Sequence, residues 1–503
     1  MSTKPVRVKM EDMEEIRDNK SKQSSLTFTL LVTMFSINLS GFVMGYSVGV
    51  LNQPSQYIQK FFYRSIHEHY NKVTTEAELT GMWGFVFFSN CIFRMIGSQI
   101  SATLLNFLGR KDVIIVAALL SFMGNFIISC CVSLDSVEMF YFGTVVFSIA
   151  FGLTNVACPI YLSEISTVKN RGRVAITFIL TLTTGVLFSS IVGFDSILGS
   201  QTSWNYLFEI PMLINFIQVL LISRCPESPK YLLIKKKNYE EAKKALQKFR
   251  RNPNVDQELD QLVQEKNIEE SGNKLTRKEL IKNKSLRPRL LISIVAMLSL
   301  TLSGNNVINI YSTSIFINAG FPREIAQSVT IGAFSLRVIS TIIAVVLVDK
   351  AGRKPLYISS LIGMFISTVI IGSCLEMESQ IGKMAASLSV LTFVIAVAVG
   401  PGSIPMVLIS ELFTSNAKAK AASITAIFSN TLQGTLIFLF PILNRRFGAS
   451  VFYMYACMHI ACAIFAWKYI PETKGKSIME IDSYFEKRST KTKKHGYVHV
   501  SKF

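Results

Sequence analysis

Gly109-Arg110-Lys111 occurs a second time as Gly352-Arg353-Lys354, 243 residues further along the chain. Two other charged motifs recur at nearly the same offset: Ser163-Glu164 as Ser410-Glu411, and Pro226-Glu227-Ser228 as Pro471-Glu472-Thr473. Each motif stands at the end of a long apolar segment. The two halves of the chain are therefore divergent copies of one unit, and parallel repeats of about six membrane helices are typical of transporters.

The composition also indicates a membrane protein. Of 503 residues, 50% are hydrophobic and only 17% are charged, and 36 are Phe. The charged residues gather in the tails and connections, and the apolar runs between them have the roughly 20 residues needed to cross a bilayer. Twelve spans are predicted: 26–50, 80–104, 113–133, 138–162, 174–194, 204–223, 289–310, 326–348, 356–374, 384–409, 421–443 and 450–469. This predicts an all-α membrane protein of two pseudo-symmetric six-helix bundles.

The predicted domains follow from these spans. They are an N-terminal tail (1–25), a first bundle (26–223), a linker (224–288), a second bundle (289–470) and a C-terminal tail (471–503). In the linker, Asn238 can cap a helix with an apolar stripe, and a second stripe follows; the residues are Ala242, Ala245, Leu246 and Phe249, then Val255, Leu259, Leu262 and Val263. Two or three short amphipathic helices are predicted, with a solvated linker as the alternative.

Basic residues predict the orientation in the membrane. They are concentrated in the tails, the linker and the connections after spans two, four, eight and ten, so these parts should be cytoplasmic. Arg445 and Arg446 fall on the opposite side. We expect a multi-pass protein of the plasma membrane with both termini inside the cell. The net charge of +19 is then a topology signal rather than a sign of nucleic-acid binding.

Several motifs in consistent order resemble one known family: Gly45-Tyr46-Ser47-Val48-Gly49-Val50, the repeated Gly-Arg-Lys, Arg171-Gly172, and the segments 226–230, 399–405, 410–413 and 471–475. Together they resemble the sugar-porter branch of the major facilitator superfamily, and within it the animal facilitative glucose transporters. The resemblance covers residues 26–485. It implies a hexose facilitator, not an enzyme, that works by alternating access in membrane lipid.

The repeated motifs predict a set of ion pairs at the cytoplasmic helix ends. Four acidic residues should face four basic ones and hold the cytoplasmic side shut when the path opens outward: Glu164, Glu227, Glu411 and Glu472 with Arg110, Arg171, Arg353 and Lys418. Exposed pairs contribute only about 0–1 kcal/mol each, but several together could bias two states. The alternative is that the basic residues only set the orientation. Asn106 departs from the family, which has an acidic residue there.

The substrate site keeps few of the family's sugar-binding residues. Asn306 and Asn430 match, and Thr301 lies in the family's binding segment. Polar or aromatic family residues are replaced at several positions: Ile179, Leu300, Thr301, Ala398, Met406 and Thr431. Because each lost polar partner in a buried site costs about 1–3 kcal/mol, a hexose held in the family manner should bind weakly.

Two arginines lie inside predicted spans. Arg94 and Arg337 each precede the glycine of a Gly-Arg-Lys motif by 15 residues, about 22 Å along a helix and thus near the bilayer midplane. The resemblance places a sugar-contacting asparagine at Arg337 and a packing glycine at Arg94. Arg337 is therefore expected to face the path, whereas Arg94 could face it or have a structural role. An organic anion, such as a carboxylate or a urate-like solute, is the alternative substrate, and a non-transporting sugar sensor is the alternative of another class.

Residues that would couple transport to protons are missing. Proton-driven relatives carry a carboxylate after the Gly-Tyr of the first span, where this chain has Ser47. Apart from Glu209, no acidic residue lies well inside a predicted span, and an intramembrane ionisable group is the usual proton carrier. Passive transport is therefore expected. No Cys/His cluster has metal-ligand spacing, and no cofactor or metal is predicted.

Overall fold

The computed structural model describes residues 27–167, 171–252, 255–271, 277–283, 286–318, 320–377, 379–413, 415–474, 480–481 and 483–485. Within these residues the regular structure is helical throughout. The predicted N-terminal tail (1–25) lies outside the described residues, as do residues 475–479, 482 and 486–503 of the predicted C-terminal tail (471–503). We call residues 28–223 the first half and residues 287–469 the second half.

The first half contains six long helices and one amphipathic helix between the first two. Its helices are α1 (Phe28–Gly49), α2 (Ser55–Tyr70), α3 (Glu76–Phe107), α4 (Arg110–Cys130), α5 (Val137–Ile165), α6 (Arg171–Val192) and α7 (Glu209–Ser223). Side chains cap several of the N-termini. At the start of α3, for example, Thr75 and Glu78 form a reciprocal capping box.

The linker folds into four short helices, α8 (Pro229–Ile234), α9 (Tyr239–Arg250), α10 (Asp256–Ser271) and α11 (Arg277–Lys282). The predicted cap is confirmed, because the Asn238 side chain accepts a hydrogen bond from the Glu241 amide at 3.1 Å. The apolar stripes of α9 and α10 pack together with Tyr231 and Leu232. The prediction of a helical linker is thus correct and the solvated alternative is wrong, but the described part of the linker has four helices instead of two or three.

The second half repeats the six spans, with two of them broken. Its helices are α12 (Arg287–Leu302), α13 (Asn305–Asn318), α14 (Arg323–Ala351), α15 (Arg353–Glu376), α16 (Gln380–Val399), α17 (Ile404–Leu412), α18 (Ser415–Phe447) and α19 (Val451–Tyr469). The seventh span breaks at Gly304, whose φ of +76° favours glycine, and the tenth breaks at Gly400 to Ser403.

The count of twelve spans agrees with the apolar character of these helices. In the described part of the chain, ten stretches are long and apolar enough to cross a membrane. One of them, Lys420–Tyr469, contains both α18 and α19, and Ile176–Val192 adds a shorter apolar helix. Counted helix by helix, there are twelve spans.

Close helix packing depends on small residues. A Cβ at Gly45 of α1 would lie 1.8 Å from the Leu182 carbonyl oxygen of α6, and one at Gly97 of α3 would lie 2.3 Å from the Ile149 oxygen of α5. Such glycines let helix backbones touch, as in many membrane proteins. The halves meet mainly where α3 packs on α18 and α6 packs on α14.

The two ends of the bundle can be told apart by the linker. We call the end that carries residues 224–286 the linker face, and the opposite end, with residues 50–75 and 193–203, the distal face.

Candidate functional site

On the linker face, the first Gly-Arg-Lys motif opens α4. Arg110 forms a bidentate ion pair with Glu164 at the end of α5, with two N to O distances of 2.8 Å. Their side chains are only 14% and 10% exposed. Glu227 accepts hydrogen bonds from the backbone amides of Arg110 and Lys111 at 3.1 to 3.3 Å. Burial raises the pKa of Glu227.

The second motif repeats this geometry at the start of α15. Arg353 pairs with Glu411 at 3.1 Å, and Glu472 accepts hydrogen bonds from the amides of Arg353 and Lys354 at 3.1 and 3.0 Å. Burial alone would raise the pKa of Glu472, but hydrogen bonds from the backbone N–H groups of Lys474, Arg353 and Lys354 hold it below its ordinary value.

A positive φ and a lack of space for a side chain explain why each motif begins with glycine. Gly109 and Gly352 have φ of +99° and +91°, and a Cβ on Gly109 would lie 2.4 Å from the Glu227 carboxylate. Glycine therefore lets the carboxylate reach the N-terminus of the next helix, where the helix dipole favours negative charge.

The arrangement differs from the predicted ion pairs in two respects. The described contacts of Glu227 and Glu472 are to backbone N–H groups, because both carboxylates lie at helix N-termini. The two Arg to Glu pairs each join helices of one half rather than the two halves. Arg171 and Lys418 lie in helices, but their side chains are outside the described residues.

Arg337 lies at the middle of α14. Its Nη1 donates to the Asn305 side-chain oxygen at 3.2 Å and to that of Asn309 at 2.7 Å. The two asparagines are one turn apart on α13 and are buried. Among the described residues, Arg337 Nε and Nη2 have no hydrogen-bond acceptor, and the residue is partly exposed.

The other predicted site residues surround the broken seventh span. Asn306 on α13 and Asn430 on α18 are partly exposed, and in the described part of the chain neither amide has a hydrogen-bond partner. Thr301 on α12 hydrogen-bonds Ser429 on α18 at 2.9 Å, next to Asn430. Sequence reasoning missed Asn305 and Asn309, although their spacing of four residues was a visible signal.

Arg94 lies in the first half. Its guanidinium carbon is 4.0 Å from the centre of the Phe151 ring on α5. Its Nε is buried and has no hydrogen-bond partner among the described residues. The two membrane arginines therefore have different surroundings, although the repeat places them at equivalent positions in the two halves.

Glu209 is the first residue of α7 and is exposed. It accepts a hydrogen bond from the Ser129 hydroxyl at 3.1 Å. Ser47, where proton-driven relatives have a carboxylate, donates to the Val43 carbonyl within its own helix at 2.6 Å.

On the distal face, a polar cluster that sequence reasoning did not find joins the two halves. Asp195 and Arg323 form a bidentate ion pair with N to O distances of 2.5 and 3.0 Å. Other groups extend this distal network: Gln53, Gln56, Tyr57 and Gln327. Nearby, the Asn52 amide donates to the Asn309 backbone oxygen at 3.0 Å. Asn309 therefore contacts both Arg337 and Asn52, which lies at the distal face.

Two six-span halves, with polar groups inside the spans and hydrogen bonds between the halves at the distal face, are typical of membrane transporters. Comparisons with known proteins give the family. A model of the sugar (and other) transporter family matches residues 33–485. The facilitated glucose transporter member 3 of solute carrier family 2 from Oryctolagus cuniculus is 32% identical over 460 residues, which are 91% of this chain and 92% of that protein.

Facilitated glucose transporter protein 1 of Caenorhabditis elegans is 32% identical over 470 residues, with 92% of each chain covered. The fold is that of the inward-open xylose transporter XylE from E. coli, with a TM-score of 0.74, 23% identity, and 90% of this chain and 98% of that chain covered. This chain belongs to the sugar (and other) transporter family.

Proposed function

We propose that this chain carries a small polar solute passively across the membrane by alternating access, with a hexose such as glucose or fructose as the first candidate. The names of the rabbit and nematode relatives support a hexose. The observation that carries the proposal is a set of partly exposed polar side chains in the spans of the second half: Asn306 on α13, Asn430 on α18 and Arg337 on α14. A polyhydroxylated ring needs such directional donors and acceptors.

The two faces have different roles in this mechanism. The distal network holds the halves together on one side, and must break when the path opens there. The linker-face pairs Arg110 with Glu164 and Arg353 with Glu411 tie helices within each half, so each half can move as one body. Glu227 and Glu472 anchor the same helix starts. Arg171 and Lys418 remain proposed members of this linker-face gate.

An organic anion is the second candidate, and Arg337 favours it. The described partners of Arg337 are neutral amides, and a charged arginine near the bilayer midplane costs about 2.5–3.5 kcal/mol on insertion scales. A carboxylate could bind the free Nε and Nη2 as a bidentate pair, which suits the planar guanidinium. The neutral asparagine of sugar-binding relatives lacks this possibility.

Uptake into liposomes that contain the purified protein tests both candidates. We would measure labelled hexoses and organic anions without a proton gradient. Arg337→Asn should weaken anion affinity about tenfold or more, because charged hydrogen bonds contribute about 1.5–3 kcal/mol, and should leave or raise hexose uptake. Arg337→Lys is the matched control. It keeps the positive charge but lacks the paired donors of the guanidinium, so it should retain only part of the anion affinity.

Three results are informative. Hexose uptake together with no uptake of organic anions, in a protein that tolerates Arg337→Asn, would reject the anion candidate. Uptake that requires a proton gradient would reject passive transport. Absence of uptake for every solute would favour the non-transporting sensor.

We also propose that the protein resides in the plasma membrane with both termini in the cytoplasm. Tags at both termini should then be protected from external reagents in intact cells, whereas a tag at Glu68 on α2 should react. An accessible terminus would contradict this orientation.

A further inference from the structure

The first half encloses a small cavity of its own. Every residue that lines it belongs to the first half, and its free volume of about 20 Å³ suits a single water-sized occupant. The polar lining residues are Tyr46, Ser47, Asn90, Arg94, Asn125 and Thr144. A hexose or an organic anion is too large for this space, so the cavity is not the substrate path.

Arg94 brings a positive charge to this cavity without a counter-charge. No Asp or Glu is among the residues that line the cavity, and Arg94 makes no ion pair in the described part of the chain. Arginine stays protonated in proteins, so it cannot escape the cost of burial by losing a proton. The face of Phe151 gives only a partial electrostatic compensation.

Asn90 supplies the second observation. It lies one helical turn before Arg94, on the same side of α3, and only 5% of its surface is exposed. In the part of the chain that the structure describes, its side-chain oxygen is buried without a hydrogen-bond partner, as is Arg94 Nε. Buried polar groups nearly always have partners. Two orphaned groups in one cavity therefore indicate an occupant that contacts both.

The other donors in the cavity are already used. Tyr46 donates to the Leu207 carbonyl at 2.7 Å, Ser47 to Val43 at 2.6 Å, and Thr144 to Tyr141 at 2.8 Å. Asn125 donates to the Ser121 carbonyl at 2.7 Å. Of the polar lining residues, Arg94 and Asn90 thus remain without a hydrogen-bond partner for their side chains among the described residues.

We infer that the cavity binds one halide ion, chloride in the cell, as the counter-ion of Arg94. The guanidinium supplies the charge and an Nε donor. The Asn90 amide can turn its NH2 group toward the ion by a half-turn about its last side-chain bond. A water molecule would satisfy the hydrogen bonds but would leave the charge of Arg94 uncompensated. The site is independent of the transported solute.

Thermal unfolding of the purified full-length protein tests this site. A bound ion stabilises the folded state until the site is full, so the Tm should rise with sodium chloride and level off, but should not rise with sodium gluconate at equal ionic strength. Sodium bromide should act like chloride. Arg94→Met should remove the halide effect. Arg337→Met, the matched change at the other membrane arginine, should keep it.

A direct measurement covers the case in which Arg94→Met does not fold. Crystals of the unaltered protein grown in bromide should show an anomalous peak between Arg94 and Asn90. Equal Tm values in chloride and gluconate, a halide effect that survives Arg94→Met, or a cavity that holds only water in bromide would each overturn the inference.

Discussion

Breaking the ion pair of the distal network should open the distal face. Arg323→Gln removes two hydrogen bonds to Asp195 and those to Gln56 and the Gln53 carbonyl. The Arg323 and Asp195 side chains are 21% and 27% exposed, which places the pair between buried and surface ion pairs. We take about 1.5 kcal/mol for the free energy lost when the pair is broken. This is more than an exposed ion pair contributes and lies at the low end of the range for hydrogen bonds to charged groups.

Because about 1.4 kcal/mol corresponds to a tenfold change in an equilibrium constant, the ratio of open to closed protein should rise about tenfold. Spin labels at Lys60 on α2 and Ser328 on α14 lie in different halves at this face. Double electron–electron resonance between them should show a longer-distance population that grows in Arg323→Gln. The accessible native cysteines would first be replaced by serine.

Arg64→Gln is the matched control. Arg64 pairs with Asp135 at 2.8 Å on the same face, but both residues belong to the first half, so this change should not alter the distance distribution. If Arg323→Gln gives the same distribution as Arg64→Gln, the distal network does not hold the halves together, and the reasoning is refuted.

Two further predictions follow from contacts in the structure. Burial alone would raise the pKa of Asp195, but hydrogen bonds from Arg323 and Gln327 hold it below its ordinary value, so the ion pair should be lost only as the pH falls through this lowered pKa. The spin-label distances should therefore stay constant from about pH 7 to pH 5, and opening within that range would contradict a lowered pKa of Asp195. Gly45→Ala places a Cβ 1.8 Å from the Leu182 oxygen and should lower the Tm, because overpacking typically destabilises a protein by roughly 1–3 kcal/mol or more. Gly332→Ala is the control and should leave the Tm unchanged, because nothing lies within 4 Å of the added Cβ. Equal Tm values for both variants would show that α1 and α6 do not pack this closely.

The candidate site was only partly predictable. Arg337 stood out because an arginine inside a span of about 20 apolar residues is costly wherever the helix lies. Its contacts with Asn305 and Asn309 were not predictable, because they depend on which side of α13 faces α14. Asn306, which the family resemblance favoured, points to another side of the same helix, and its role remains a prediction.

The roles of the acidic residues on the linker face show the same limit. Glu164 and Glu227 both lie near the first Gly-Arg-Lys motif, and the sequence alone treats them as equivalent partners. The positive φ of Gly109 turns the start of α4 toward Glu227, so this carboxylate binds backbone amides and leaves the Arg110 side chain to Glu164.

The sequence by itself determined the twelve spans, the repeat and the amphipathic linker, because each depends on local hydrophobic periodicity or on the length needed to cross a bilayer. Tertiary structure alone decided the polar contacts between distant segments. Asp195 and Arg323 are 128 residues apart and lie in separate halves. Asn90 and Arg94 share one cavity because residues of α1, α4 and α5 enclose it with them. Such contacts depend on the relative rotation and depth of packed helices, and no local pattern encodes these quantities.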